Sequence, residues 1–116
     1  IMRGQQEGHI INTASVAVIV STPGMAGYSA TKHAVLGLTK SLRIEAQEFG
    51  VTFSTLCPGA IDTPILSGGE FGGAIGYKLE GMKKITDTWQ PISATPFVEK
   101  SLIKIAKKKG ITTKGP

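Results

Sequence analysis

Cysteine occurs once in the 116 residues, at Cys57. No internal disulfide can form, and a reducing compartment is the expected setting. No cationic stretch followed by an apolar one opens the chain, so there is no sign of a secretory leader and a cytoplasmic location is expected. Long hydrophobic runs are missing too. Val16 to Val20 is the longest, far short of the roughly 20 residues that span a bilayer. Arginine and aromatic residues stop at Phe97, although Lys100, Lys104, Lys107, Lys108, Lys109 and Lys114 crowd the end of a chain whose net charge is +5. Nucleic-acid binding needs such groups interleaved with the lysines, so the run reads as a solvated helix face and no nucleic-acid partner is expected. His9 has no second ligand at metal spacing, which argues against a metal site. Gly68, Gly69, Gly72, Gly73 and Gly76 show neither a G-x-G-x-x-G spacing nor a following Lys-Ser pair. A phosphate loop is thereby excluded there.

What is present reads as one small α/β unit, 41% hydrophobic and 18% charged. Residues 1–8 suggest the tail of a helix and a turn with Gly8 as the stop. His9 to Thr13 reads as a short strand, its adjacent Ile10 and Ile11 implying burial on both faces. A loop over 14–27 leads to a helix over 27–49 with an apolar stripe at Val35, Leu38, Leu42, Ala46 and Phe49. A second stripe of small residues, Ala30, Ala34, Gly37 and Ser41, suits either packing on the sheet or a homo-oligomer interface. Gly50 ends the helix, and Val51 to Cys57 is a β-branched second strand that would bury an inert thiol. Strand, helix, strand predicts two parallel strands joined by a right-handed crossover. Pro58-Gly59 breaks the second strand at its carboxyl end, where open parallel sheets bind ligands. Residues 64–95 read as a mobile flap that Trp89 would anchor. Thr95 and Pro96 would start a last helix with Val98, Leu102, Ile105 and Ala106 inward, and Gly110 would end it before a short strand from Ile111 to Thr113.

The chemistry concentrates in Tyr28-Ser29-Ala30-Thr31-Lys32. Residues four apart on a helix share one face. An ammonium beside a phenol favours the phenolate and lowers its pKa, which makes a device for moving a proton near neutral pH. Ser15 stands thirteen residues before Tyr28 and just after His9-Ile10-Ile11-Asn12. Pro58-Gly59-Ala60-Ile61-Asp62-Thr63 follows the second strand. This set resembles the short-chain dehydrogenase/reductase family, strongly over residues 8–63 and weakly beyond.

The resemblance implies a Rossmann-like, doubly wound parallel sheet and an NAD(P)-dependent enzyme interconverting a carbonyl and an alcohol. It implies Tyr28 as the acid or base, Lys32 lowering the Tyr28 pKa and binding the nicotinamide ribose, and Ser15 polarising the substrate oxygen. Pro58, Gly59, Ile61 and Thr63 would join Tyr28 and Lys32 in holding NAD or NADP, and the intact parent would be a homo-oligomer. Ile65, Leu66, Phe71 and Tyr77 suggest an apolar pocket for a small-molecule substrate. Ala14 and Val18 stand where the family often has a serine and a glycine. The family's glycine-rich pyrophosphate turn, its adenine-selecting residue and its helix asparagine are not among the 116 residues. The start at Ile1 with Met2 behind it also points to a partial reading frame. The expectation is therefore that residues 1–116 form the carboxyl-terminal half of one domain, inactive in isolation. The alternative is a non-catalytic oligomerising module of the same fold.

Overall fold

The computed structural model describes residues 1–20, 24–64, 90–106 and 111–114. A short helix, α1 (Met2–Gln5), leads into strand β1 (Gly8–Thr13) and a 3-10 turn at Val16–Val18. Helix α2 (Ala26–Glu45) follows, then a second 3-10 turn (Gln47–Phe49) and strand β2 (Val51–Pro58). The remainder is β3 (Ile61–Asp62), β4 (Ile92–Ser93), α3 (Ala94–Ala106) and β5 (Ile111–Lys114).

β1, β2 and β5 form one parallel sheet in that order, with Gly8 opposite Val51, Thr13 opposite Leu56, and Pro58 opposite Lys114. α2 packs on β1 and β2, and α3 packs on β5 and β4. Paired residues point to one side. The face carrying Ile10 and Asn12 with Val51, Phe53, Thr55 and Cys57 is the one α2 covers, and all four β2 residues on it are buried. On the other face Ile11 is 40% exposed, whereas its β2 partner Ser54 is buried. Of the adjacent isoleucines expected to be buried on the two faces, Ile10 is half-buried and Ile11 exposed. His9 Nε2 and Ser54 Oγ form a 2.8 Å hydrogen bond on that second face.

Several boundaries differ from the sequence reading. Gln6, not Gly8, ends α1, adopting a left-handed conformation at φ 55°. The loop of 14–27 contains the 3-10 turn and the start of α2. The long helix is α-helical to Glu45 and tightens into the 3-10 turn before Gly50, whose φ of 65° reverses the chain. A Cβ at Gly50 would run into the backbone of Gln6, and Arg3 lies over the Phe49 ring at 3.7 Å. These contacts lock α1 against the end of the α2 crossover. Thr95 is inside α3, which begins at Ala94, so Ser93 and not Thr95 precedes the first turn. Ile92–Ser93 forms a two-residue parallel ladder with Ile61–Asp62, which trims the proposed 64–95 loop at its carboxyl end. Phe71, Tyr77, Trp89, Gly110 and the lysines at 107–109 lie outside the described residues, as do Ile65, Leu66 and the glycines from 68 to 76.

The inward stripe of α2 is also rotated from the predicted one. Leu38 is 58% exposed, whereas Thr39 is 2% exposed and is the buried residue of the helix. A polar residue holds that place because its hydroxyl is satisfied twice. It donates to the Val35 carbonyl at 2.7 Å and accepts from Asn12 Nδ2 at 3.0 Å. Ala30, Ala34, Gly37 and Ser41 face outward, and a Cβ at Gly37 would meet nothing within 4 Å.

Candidate active site

Ser15 follows the carboxyl end of β1, and Pro58 closes the carboxyl end of the neighbouring parallel strand β2. Thr13 is the last paired residue of β1, and the Ala14 amide donates to the Leu56 carbonyl at 2.8 Å. Ser15 then caps the 3-10 turn, its Oγ accepting from the Ala17 amide at 3.2 Å. That bond uses a lone pair and leaves the hydroxyl proton free to donate elsewhere. Ser15 is half-buried, and its backbone N–H also faces the Cys57 thiol.

Tyr28 and Lys32 sit on the first two turns of α2, one turn apart, with Lys32 Nζ 5.7 Å from the Tyr28 ring centroid. Both side chains are half-buried. Lys32 Nζ reaches the Thr13 carbonyl at 3.4 Å, which ties the pair to the end of β1. No acidic side chain occupies the first turn of α2, so nothing there offsets the partial positive charge of the helix start. Thr31 donates to the Tyr28 carbonyl at 2.7 Å.

Ser29 was not anticipated as a site residue. Its hydroxyl donates to the Ala17 carbonyl at 2.9 Å, fastening the Ser15 turn to the turn of α2 that carries Tyr28. The partner is a backbone group twelve residues away, so no side-chain pattern could have announced it.

Pro58 ends β2, Gly59 and Ala60 turn the chain, and Ile61 pairs with Ile92. Pro58, Gly59, Ile61 and Thr63 are all half-buried beside the same sheet end. Cys57 lies directly beneath, fully buried. Burial pushes its thiol pKa up, against smaller opposing effects of the Ser15 N–H and the Lys40 charge. That is the inert thiol expected from the strand pattern. Among the described residues no group of three or more His, Cys, Asp or Glu side chains could hold a metal, and no helix is long and apolar enough to cross a membrane.

The pattern of the short chain dehydrogenase family matches residues 1–69, a span that includes Ser15, Tyr28, Lys32 and the Pro58–Thr63 turn. The chain belongs to that family. The short-chain dehydrogenase fogB of Aspergillus ruber is 43% identical over 70 residues, covering 60% of this chain and 26% of that protein. A short-chain dehydrogenase/reductase from Burkholderia phymatum, crystallised with NAD, superposes over 97% of this chain and 45% of its own with a TM-score of 0.77 and 30% identity. A short-chain dehydrogenase from Sphingobium yanoikuyae, in complex with NADPH, gives a TM-score of 0.75 at 23% identity, covering 97% of this chain and 39% of that one. The fold is thus the family's Rossmann-like α/β sheet with parallel strands, present as part of a domain. The aligned stretch spans about a quarter of the length of the fogB protein, and the whole chain under half of either solved structure.

Proposed function

We propose that residues 1–116 are the carboxyl-terminal half of an NAD(P)-dependent oxidoreductase that interconverts a small-molecule carbonyl and its alcohol. One observation carries the reading: Lys32 Nζ stands 5.7 Å from the Tyr28 ring while bound to the last carbonyl of β1, the strand that delivers Ser15. A phenol beside an ammonium, with a hydroxyl donor on the adjoining turn, is an arrangement for handling a proton at a substrate oxygen.

The groups exposed at this sheet end fit a nicotinamide cofactor. Lys32 makes one bond to Thr13, which leaves two of its three N–H donors for ribose hydroxyls. The half-buried Thr63 and the backbone of Pro58, Gly59 and Ile61 offer polar atoms for a carboxamide. When bound, the cofactor supplies or accepts the hydride. In reduction Tyr28 gives its hydroxyl proton to the carbonyl oxygen, and in oxidation it takes that proton from the alcohol. Ser15 donates a hydrogen bond to the same oxygen and stabilises its developing negative charge. Lys32 stabilises the phenolate electrostatically.

The isolated chain, lacking a pyrophosphate-binding turn, would turn nothing over by itself. The outward stripe of Ala30, Ala34, Gly37 and Ser41, with open space at Gly37, favours self-association of the parent across this helix. A cytoplasmic setting agrees with the single buried thiol. The test is Tyr28→Phe in the full-length protein, followed by nicotinamide absorbance against a panel of alcohols and ketones. Packing of the ring is kept and only the proton carrier is lost. Turnover should fall roughly 10²–10⁴-fold with cofactor binding retained; turnover near the parental value would refute the role of Tyr28.

A further inference from the structure

We infer that Asn12 and Thr39 are positioning residues that set the rotation and height of α2, and hence the placement of the Tyr28–Lys32 pair. It holds only if Tyr28 and Lys32 are the acid–base pair. Tyr28, Lys32, Val35, Thr39, Leu42 and Ala46 follow one another at alternating steps of four and three. All six are buried or half-buried, so they form the sheet-facing line of the helix. Thr39 comes seven residues after Lys32, which puts it about 10 Å further along the axis and within about 20° of the same direction. It is the one residue of α2 that is fully buried, and it is polar.

Apolar contacts such as those of Val35 and Leu42 resist separation of a helix from a sheet but are non-directional, so they tolerate small rotations and slides. A hydrogen bond does not, because it weakens steeply with angle. Asn12 Nδ2 donates to Thr39 Oγ1 at 3.0 Å, while Thr39 donates to Val35 at 2.7 Å, so the hydroxyl has one orientation. The next residue of β1, Thr13, offers the carbonyl that Lys32 binds. Two consecutive residues of one strand therefore pin the same helix at two heights, one contact buried and one open to solvent. The buried contact holds the helix so that the open one forms. Without it, a rotation of about 20° would move side-chain atoms 5–6 Å from the axis by about 2 Å. A displacement of 1 Å is enough to cost about 10²-fold in rate.

The experiment is steady-state kinetics on the full-length protein at saturating cofactor, well below each variant's melting temperature by circular dichroism. Thr39→Val removes the hydroxyl at nearly constant volume. It should lower kcat by about tenfold or more, with substrate KM changed less than about threefold. Thr39→Ser, which restores the hydroxyl, should recover kcat to within about twofold. Asn12→Leu should match Thr39→Val, and the double variant should be no slower than either, since both remove one contact. Asn12→Ser, at a half-buried position, is the deciding variant if Thr39→Val does not fold. A folded Thr39→Val or Asn12→Ser with a lower melting temperature but parental kcat would overturn the inference. Tyr28→Phe run in parallel separates the two levels. If it abolishes turnover while Thr39→Val does not, only the positioning role fails. If it keeps turnover, the acid–base reading fails and the inference falls with it.

Discussion

Replacing Lys32 by Met keeps the length and apolar stem of the side chain and removes its charge. The ammonium lies 5.7 Å from the centre of the Tyr28 ring. At about that separation opposite unit charges attract by ~0.7 kcal/mol in bulk water and ~3 kcal/mol at an effective dielectric of about 20. Lys32 is half-buried at the rim of the sheet, so negative charge developing at Tyr28 during proton transfer should lose an attraction between these limits. That corresponds to a ~3-fold to ~150-fold fall in the rate of alcohol oxidation. The lost bond to Thr13, long at 3.4 Å and open to solvent, adds little. The assay is kcat for oxidation at saturating cofactor in the full-length protein, parent against Lys32→Met and Lys32→Arg. Arginine keeps the charge and should retain more activity than methionine. The gap between them should narrow in high salt, where exposed charges are screened. Oxidation by Lys32→Met within twofold of the parent, alongside an inactive Tyr28→Phe, would show that the ammonium does not act on the phenolate.

Gly50→Ala should lower stability by at least ~1–2 kcal/mol from its left-handed backbone alone, and by more because the new Cβ meets the Gln6 backbone; an unchanged thermal midpoint would contradict this. Cys57 provides the pH test. Its thiol is raised above the ordinary value of 9.0 by burial, so above that pH the unfolded chain releases a proton that the folded chain retains. Stability should therefore fall as pH climbs from about 9 toward the folded value. Native protein at pH 8 should also react with aromatic disulfide reagents far more slowly than the urea-unfolded chain, and equal rates would show the thiol to be open.

The parallel β-α-β frame was legible because its signals repeat along the chain. β-branched residues marked β2, apolar residues at steps of three and four marked α2, and Gly50 marked the reversal. The placement of Ser15, Tyr28 and the Pro58 turn at one sheet end then followed from strand direction. What the sequence hid were contacts between distant residues. Thr39 reads as a polar position on any hydrophobicity pattern, and its partner Asn12 is 27 residues away. The stripe was therefore assigned through Leu38, which is largely exposed. The two-residue strands β3 and β4 are too short to show a period. Gln6 in a left-handed conformation carried no signal beside the more obvious Gly8.

The small ladder of Ile61 with Ile92 and Asp62 with Ser93, closed by the Ile92 amide on the Ala60 carbonyl at 3.0 Å, bears on how such enzymes diversify. It fixes the points where the chain leaves the site after Thr63 and returns to begin α3. With both ends held by the same two residue pairs, sequence exchanged between these points need not disturb the register of β1 with β2 or the start of α2.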